Sequence, residues 1–127
     1  MDGVLGKLAE LRDRGFQFMN IPDEDGRLDR IMGYRQLRGF VDTILFRSEH
    51  DAKAGRMPAA HDSSQAGKAV WLFEGSLAEA IDRLLELPPP GTPTAPTLAG
   101  SSTEPELVPA PLNPFRIWTP REGIARR

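Results

Sequence analysis

The chain contains no cysteine, which excludes disulfides, thiolate metal sites and a cysteine nucleophile. No apolar run approaches the roughly 18 residues of a membrane-spanning helix. Met1-Asp2-Gly3 lacks the basic start and apolar stretch of a secretory signal. A cytoplasmic protein is the expectation. Strong charge of one sign is also missing. The formal net charge of -2 and pI near 5.7 give no overall electrostatic reason to bind nucleic acid or an anionic membrane. There is no Gly-x-Ser-x-Gly elbow. Gly67-Lys68 has neither the earlier glycine nor the following Ser/Thr of a phosphate-binding loop. No internal repeat is visible, no enzyme class is indicated, and no cofactor is expected.

What the chain does have is proline and arginine. Its 127 residues suffice for one domain and a tail. The 12 prolines fall mostly beyond Leu87 and mark where the folded part ends. Arginine outnumbers lysine 13 to 3, and Ala, Gly and Pro are plentiful, a usage associated with GC-rich bacterial genomes.

The strongest local pattern spans residues 68–87. Ala69, Val70, Trp71, Leu72 and Phe73 form a continuous apolar run that suits a central strand covered on both faces. Gly75 breaks it. Ser76 followed by Glu79 predicts a reciprocal capping box, with the glutamate reaching back to the N–H of the cap. Leu77, Ala80, Ile81, Leu84, Leu85 and Leu87 then recur on one helical face until Pro88, Pro89 and Pro90 stop the helix. Glu74, at the end of the strand, is assigned to helix-start electrostatics.

Earlier in the chain, Asp2 is placed as the cap of a first helix. Val4 or Leu5, with Leu8 and Leu11, is its buried stripe, and Gly15 is its terminator. Residues 16–21 form a strand with Phe16 and Phe18 on one face and Met19 and Ile21 on the other. Asp25-Gly26 is hairpin chemistry. The acids of residues 23–25 do not match a calcium loop, because the glycine arrives early and Tyr34 stands where a bidentate glutamate is needed. Residues 27–37 fit a helical stripe or a strand. Gly33 favours a twisted or bulged strand, and strand is the reading taken. Residues 40–47 follow as an interior strand, with Asp42 on the Phe40, Ile44 and Phe46 face and Arg47 as its simplest partner. Residues 49–57 are expected to form a short helix capped by Ser48. The fold class is therefore α+β: a small, mainly antiparallel four-stranded sheet with helices on one face, in the order α-β-β-β-α-β-α. If buried, Trp71 and Phe73 should each cost about 3–5 kcal/mol on truncation to alanine.

Three regions are expected: a compact domain over 1–87, a proline-rich extended linker over 88–111, and a basic aromatic peptide over 112–127. The domain carries a net charge of -3 and the final peptide +3. Exposed Phe, Ile and Trp invite aggregation, so some protein surface should cover Phe115, Ile117 and Trp118. Phe115, Arg116, Ile117 and Trp118, with Arg121, are the expected binding residues. They would dock on the chain's own domain, on a second copy, or on a partner protein. No membrane partner is expected.

Two alternatives rest on other residues. His50-Asp51 and His61-Asp62 resemble the metal-ligand pairs of the HD-type phosphohydrolases, which implies a small metal-dependent hydrolase. The resemblance covers those four residues, and that family is a longer helical fold. Arg27, Arg30, Tyr34, Arg35 and Arg38 form the most basic stretch and could contact phosphates as a nucleic-acid adaptor. Asp23, Glu24, Asp25, Asp29 and Asp42 lie close enough in sequence to offset that field, so neither nucleic-acid binding nor a metal site is the leading expectation.

Overall fold

Five antiparallel strands follow one another across a single sheet in chain order, so each hairpin places its strand beside the previous one. The computed structural model describes residues 2–59, 68–96 and 105–109. Helix α1 (Asp2–Asp13) leads into β1 (Gln17–Pro22), β2 (Leu28–Leu37), β3 (Phe40–Ser48), β4 (Asp51–Pro58) and β5 (Trp71–Gly75). Helix α2 (Leu77–Glu86) follows, and a short 3-10 turn, η1 (Pro105–Leu107), lies further on. The architecture is α+β.

The sheet has five strands rather than four, because residues 51–58 form β4 where a helix is expected. A two-residue turn at Glu49-His50 joins β3 to β4, with Ser48 opposite Asp51. The alternation of β4 is hidden by its composition. Ala52, Ala54 and Arg56 face the helices while Lys53, Gly55 and Met57 face away, so small and charged side chains occupy both sets. Ala52 and Ala54 are buried because α2 packs across this part of the sheet, and larger side chains would push it off.

A second correction concerns β5. It is an edge strand rather than a central one. Trp71 and Phe73 pack against the core and are only half-buried, while Leu72 and Glu74 on the opposite face are exposed.

Two apolar clusters sandwich the sheet. On the helix side, Val4 and Leu11 of α1 meet Phe16, Ile44, Ala52, Ala54 and the Leu77, Ala80, Ile81 and Leu84 stripe of α2. On the back, Met32, Leu45, Met57, Ala69 and Leu107 form the second cluster, with Met19 and Ile21 against it. Leu107 comes from the stretch expected as an extended linker, and it is fully buried.

The turns follow from local chemistry. Gly15 and Gly26 adopt φ of +104° and +84°, the left-handed region that side chains disfavour. In the β1–β2 turn one Asp23 Oδ1 accepts from the N–H groups of Asp25 and Arg27 at 2.9 and 3.0 Å. That carboxylate is engaged by its own backbone. Gly33 is not a bulge: it pairs regularly with Phe18 and Ile44. It is small because the Phe18 ring lies over it, and a Cβ there would stand 2.5 Å from Phe18 Cε1.

At α2 the Ser76 hydroxyl accepts from the Glu79 N–H and donates to Glu79 Oε1, both at 3.2 Å. The glutamate therefore meets the cap's hydroxyl rather than its backbone N–H.

Candidate functional site

All five expected binding residues, Phe115, Arg116, Ile117, Trp118 and Arg121, lie outside the described residues, as do His61 and Asp62. His50 sits exposed in the β3–β4 turn, its N–H donating to Ser48 Oγ at 3.2 Å. Asp51 is exposed, 4.0 Å from Arg47. Among the described residues no group of three or more candidate ligands gathers.

Strand alternation divides the arginine-rich stretch. Arg35 shares the helix-side face with Ile31 and Gly33, whereas Arg30 and Tyr34 share the back face with Met32. Arg27 and Arg38 are exposed in the flanking turns. The five residues do not form one surface.

Arg35 belongs instead to a cross-strand row. Asp42 stands directly opposite Arg35 on β2 and Arg56 on β4. Asp42 and Arg56 are both buried. Arg56 Nε donates to Asp42 Oδ1 at 2.6 Å and Nη2 donates to Oδ2 at 3.0 Å. Its Nη1 donates to the Pro88 carbonyl at 2.6 Å, tying the exit of α2 to the sheet. Arg35 Nη2 reaches the same carboxylate at 3.5 Å, and its Nη1 donates to the Arg14 carbonyl at 2.9 Å. Its guanidinium lies 4.9 Å from the centre of the Phe16 ring. This network is internal bracing that joins α1, three strands and the start of the proline run. Arg47, expected as the simplest partner of Asp42 given a twisted strand or cross-strand pairing, instead projects from the other end of β3 to Asp29 and Asp51.

An open apolar groove lies between α1 and strands β1 to β3. Leu5, Leu8 and Ala9 form one wall, and Phe18, Ile31 and Phe46 form the floor, with Arg12 and Asn20 also lining it. Its volume is about 370 Å³, inside the range of about 300–1,000 Å³ typical of ligand pockets. The helical spacing of α1 explains the wall. Val4 and Leu11 turn into the core, and Leu5, one position off that stripe, is left 56% exposed at the lip. Phe18 is 36% exposed on the floor, resting across Gly33. Lys7 of α1 meets Asp82 of α2 at 2.6 Å and helps hold the helix over the sheet. No sequence feature announced this groove, because Leu5 and Val4 were interchangeable as the buried residue of the first turn.

The back of the sheet carries a second, occupied site. Leu107 enters a hole beneath Gly55, where a Cβ would stand 3.0 Å from Leu107 Cδ1 and 3.3 Å from Met57 Sδ. Beside it Lys53 Nζ donates to Glu106 Oε2 at 2.7 Å. That hydrogen bond, with the positive charges of Lys53 and Arg30, holds the Glu106 carboxyl below its ordinary value, against a smaller opposing effect of burial.

No protein-family model, curated protein or solved structure matches the chain.

Proposed function

We propose that the protein acts by non-covalent binding, with no chemistry of its own, and that its C-terminal peptide is the ligand of the groove between α1 and the sheet. The groove carries this reading: it is an apolar trough with Leu5 and Phe18 exposed in it. The peptide carrying Phe115, Ile117 and Trp118 lies outside the described residues, and its apolar side chains need a surface to cover them. Net charge favours approach, since the peptide is basic and the domain acidic, while the charged residue lining the groove itself is Arg12. Trp118 and Phe115 are the anchors, with Arg116 and Arg121 at the rim, an arrangement common to interface hot spots.

Docking into the same chain or into a second copy uses the same groove. The test is removal of residues 112–127, with melting temperature and sedimentation measured on both forms. A lower melting temperature with unchanged mass indicates docking within one chain. Loss of a dimer indicates docking between copies. If both quantities are unchanged, the groove is not the receptor of this peptide and an external protein is.

A further inference from the structure

We propose that the back-face site built from Lys53, Gly55 and Met57 recognises a partner protein's peptide in which an acidic residue directly precedes a large aliphatic one, and that residues 105–109 occupy it as a built-in competitor. This site is separate from the groove and rests on a different segment of the chain.

The occupant already present defines the chemistry. Pro105-Glu106-Leu107-Val108-Pro109 inserts one side chain fully, Leu107, with Pro109 buried behind it and Glu106 on the rim. The hole exists because Gly55 has no side chain. Its surroundings are the polarisable, unbranched Met32 and Met57 with Leu45 and Ala69, and such methionine-lined surfaces accept exchangeable apolar ligands. The rim carries two cations, Lys53 and Arg30, whose charges act on the Glu106 carboxylate, with Glu74 3.6 Å from Lys53 and Asp29 3.2 Å from Arg30. An acid beside an aliphatic residue satisfies both halves of the site. A basic residue beside the aliphatic one would fail at the rim, and two charged residues would fail at the hole.

The competitor's contacts are few: Leu107 and Pro109 are fully buried, and one partly exposed ion pair joins Glu106 to Lys53. Attachment to the same chain compensates, because a tethered ligand acts at an effective concentration on the order of 1 mM. A partner peptide therefore meets a masked site, and its apparent affinity is reduced by the fraction of molecules in which the segment is seated. Thr43 of β3, directly opposite Gly55, has a buried hydroxyl with no hydrogen-bond partner among the described residues.

The test uses the full chain and a fluorescent peptide of sequence Glu-Pro-Glu-Leu-Val-Pro-Ala, corresponding to residues 104–110. Peptide binding to the wild type is compared with binding to the Glu106→Ala/Leu107→Ala double variant, with folding of each checked by near-UV circular dichroism. The expected result is at least tenfold tighter binding by the double variant. That gain should be lost when the peptide Glu corresponding to Glu106 is changed to Lys, or when Gly55→Leu is added to the protein. A folded double variant that binds no better than the wild type overturns the proposal. So does binding indifferent to the Glu-to-Lys change. A double variant that fails to fold also overturns it, because residues 105–109 are then an obligate part of the core rather than a displaceable occupant.

Discussion

Asp42 on β3 stands directly opposite Arg56 on β4, and two hydrogen bonds of 2.6 and 3.0 Å join their side chains in a part of the sheet closed to water. A buried charge that loses its partner keeps its desolvation penalty, so the two single substitutions should behave alike. Asp42→Ala and Arg56→Ala should each lower the unfolding free energy by about 3–5 kcal/mol, measured by urea denaturation. A double replacement by apolar residues of similar volume should recover much of that loss. Arg56→Lys should remain defective, because a single ammonium cannot span both carboxylate oxygens and the Pro88 carbonyl as the guanidinium fork does.

Gly33 and Phe18 form the next test. Gly33→Ala places a methyl group within 2.5 Å of the Phe18 ring, and the ring must leave the groove floor. The expected loss is about 1–3 kcal/mol, the usual range for overpacking, together with weaker binding of a C-terminal peptide. Thermal unfolding and peptide titration measure the two effects separately. Gly26→Ala should leave peptide binding unchanged, because its strain is local to the β1–β2 turn.

The Glu106–Lys53 contact makes a pH prediction with a definite sign. The folded protein holds the Glu106 carboxyl below its ordinary value of 4.5, so folding favours the ionised form. The contribution of this contact is fully present above pH 4.5 and fades as pH falls through the lowered value. The melting-temperature difference between wild type and Glu106→Gln should therefore be constant near neutrality and shrink below pH 4.5. The side chain is more than one-third exposed, so the difference will be small and reduced by salt.

Within the core, burial ranks the substitutions. Ile44 and Ile81 are completely buried, and either one changed to alanine should cost about 2–5 kcal/mol. Phe73 on the edge strand is half-buried under Arg83, whose guanidinium lies 5.2 Å from its ring centre. Phe73→Ala should cost less than Ile81→Ala despite removing more atoms. Thr43→Val should be neutral or stabilising, since it removes a buried hydroxyl that has no partner among the described residues. Chemical denaturation of the four variants gives the ranking directly.

The strand over 28–37 has no single-face pattern, and Gly33, which favoured strand as a bulge, pairs regularly, whereas the α2 stripe follows from helical spacing and the faces of β1 and β3 follow from alternation. β4 did not, since Ala52, Ala54 and Gly55 carry no periodic signal and Arg56 looks like a surface residue until Asp42 is placed opposite it. The apolar run at Ala69–Phe73 suggested a central strand, but continuous apolarity does not distinguish an interior strand from an edge strand capped by packing on one side. Leu107 was hidden by its proline-rich surroundings, which describe the average of a segment and not the one residue that finds a hole. The Leu5 and Phe18 groove depends on which of two adjacent residues, Val4 or Leu5, turns inward, and one residue of helical phase decides that.

The groove is tested most directly by the fluorescence of Trp118 in full-length protein carrying Trp71→Phe, which leaves Trp118 as the sole tryptophan. Emission shifted to the blue of the free 112–127 peptide, and returned to the free-peptide spectrum by Leu5→Asp at the groove lip, is the predicted result. Emission identical to that of the free peptide, with no response to Leu5→Asp, would contradict the account.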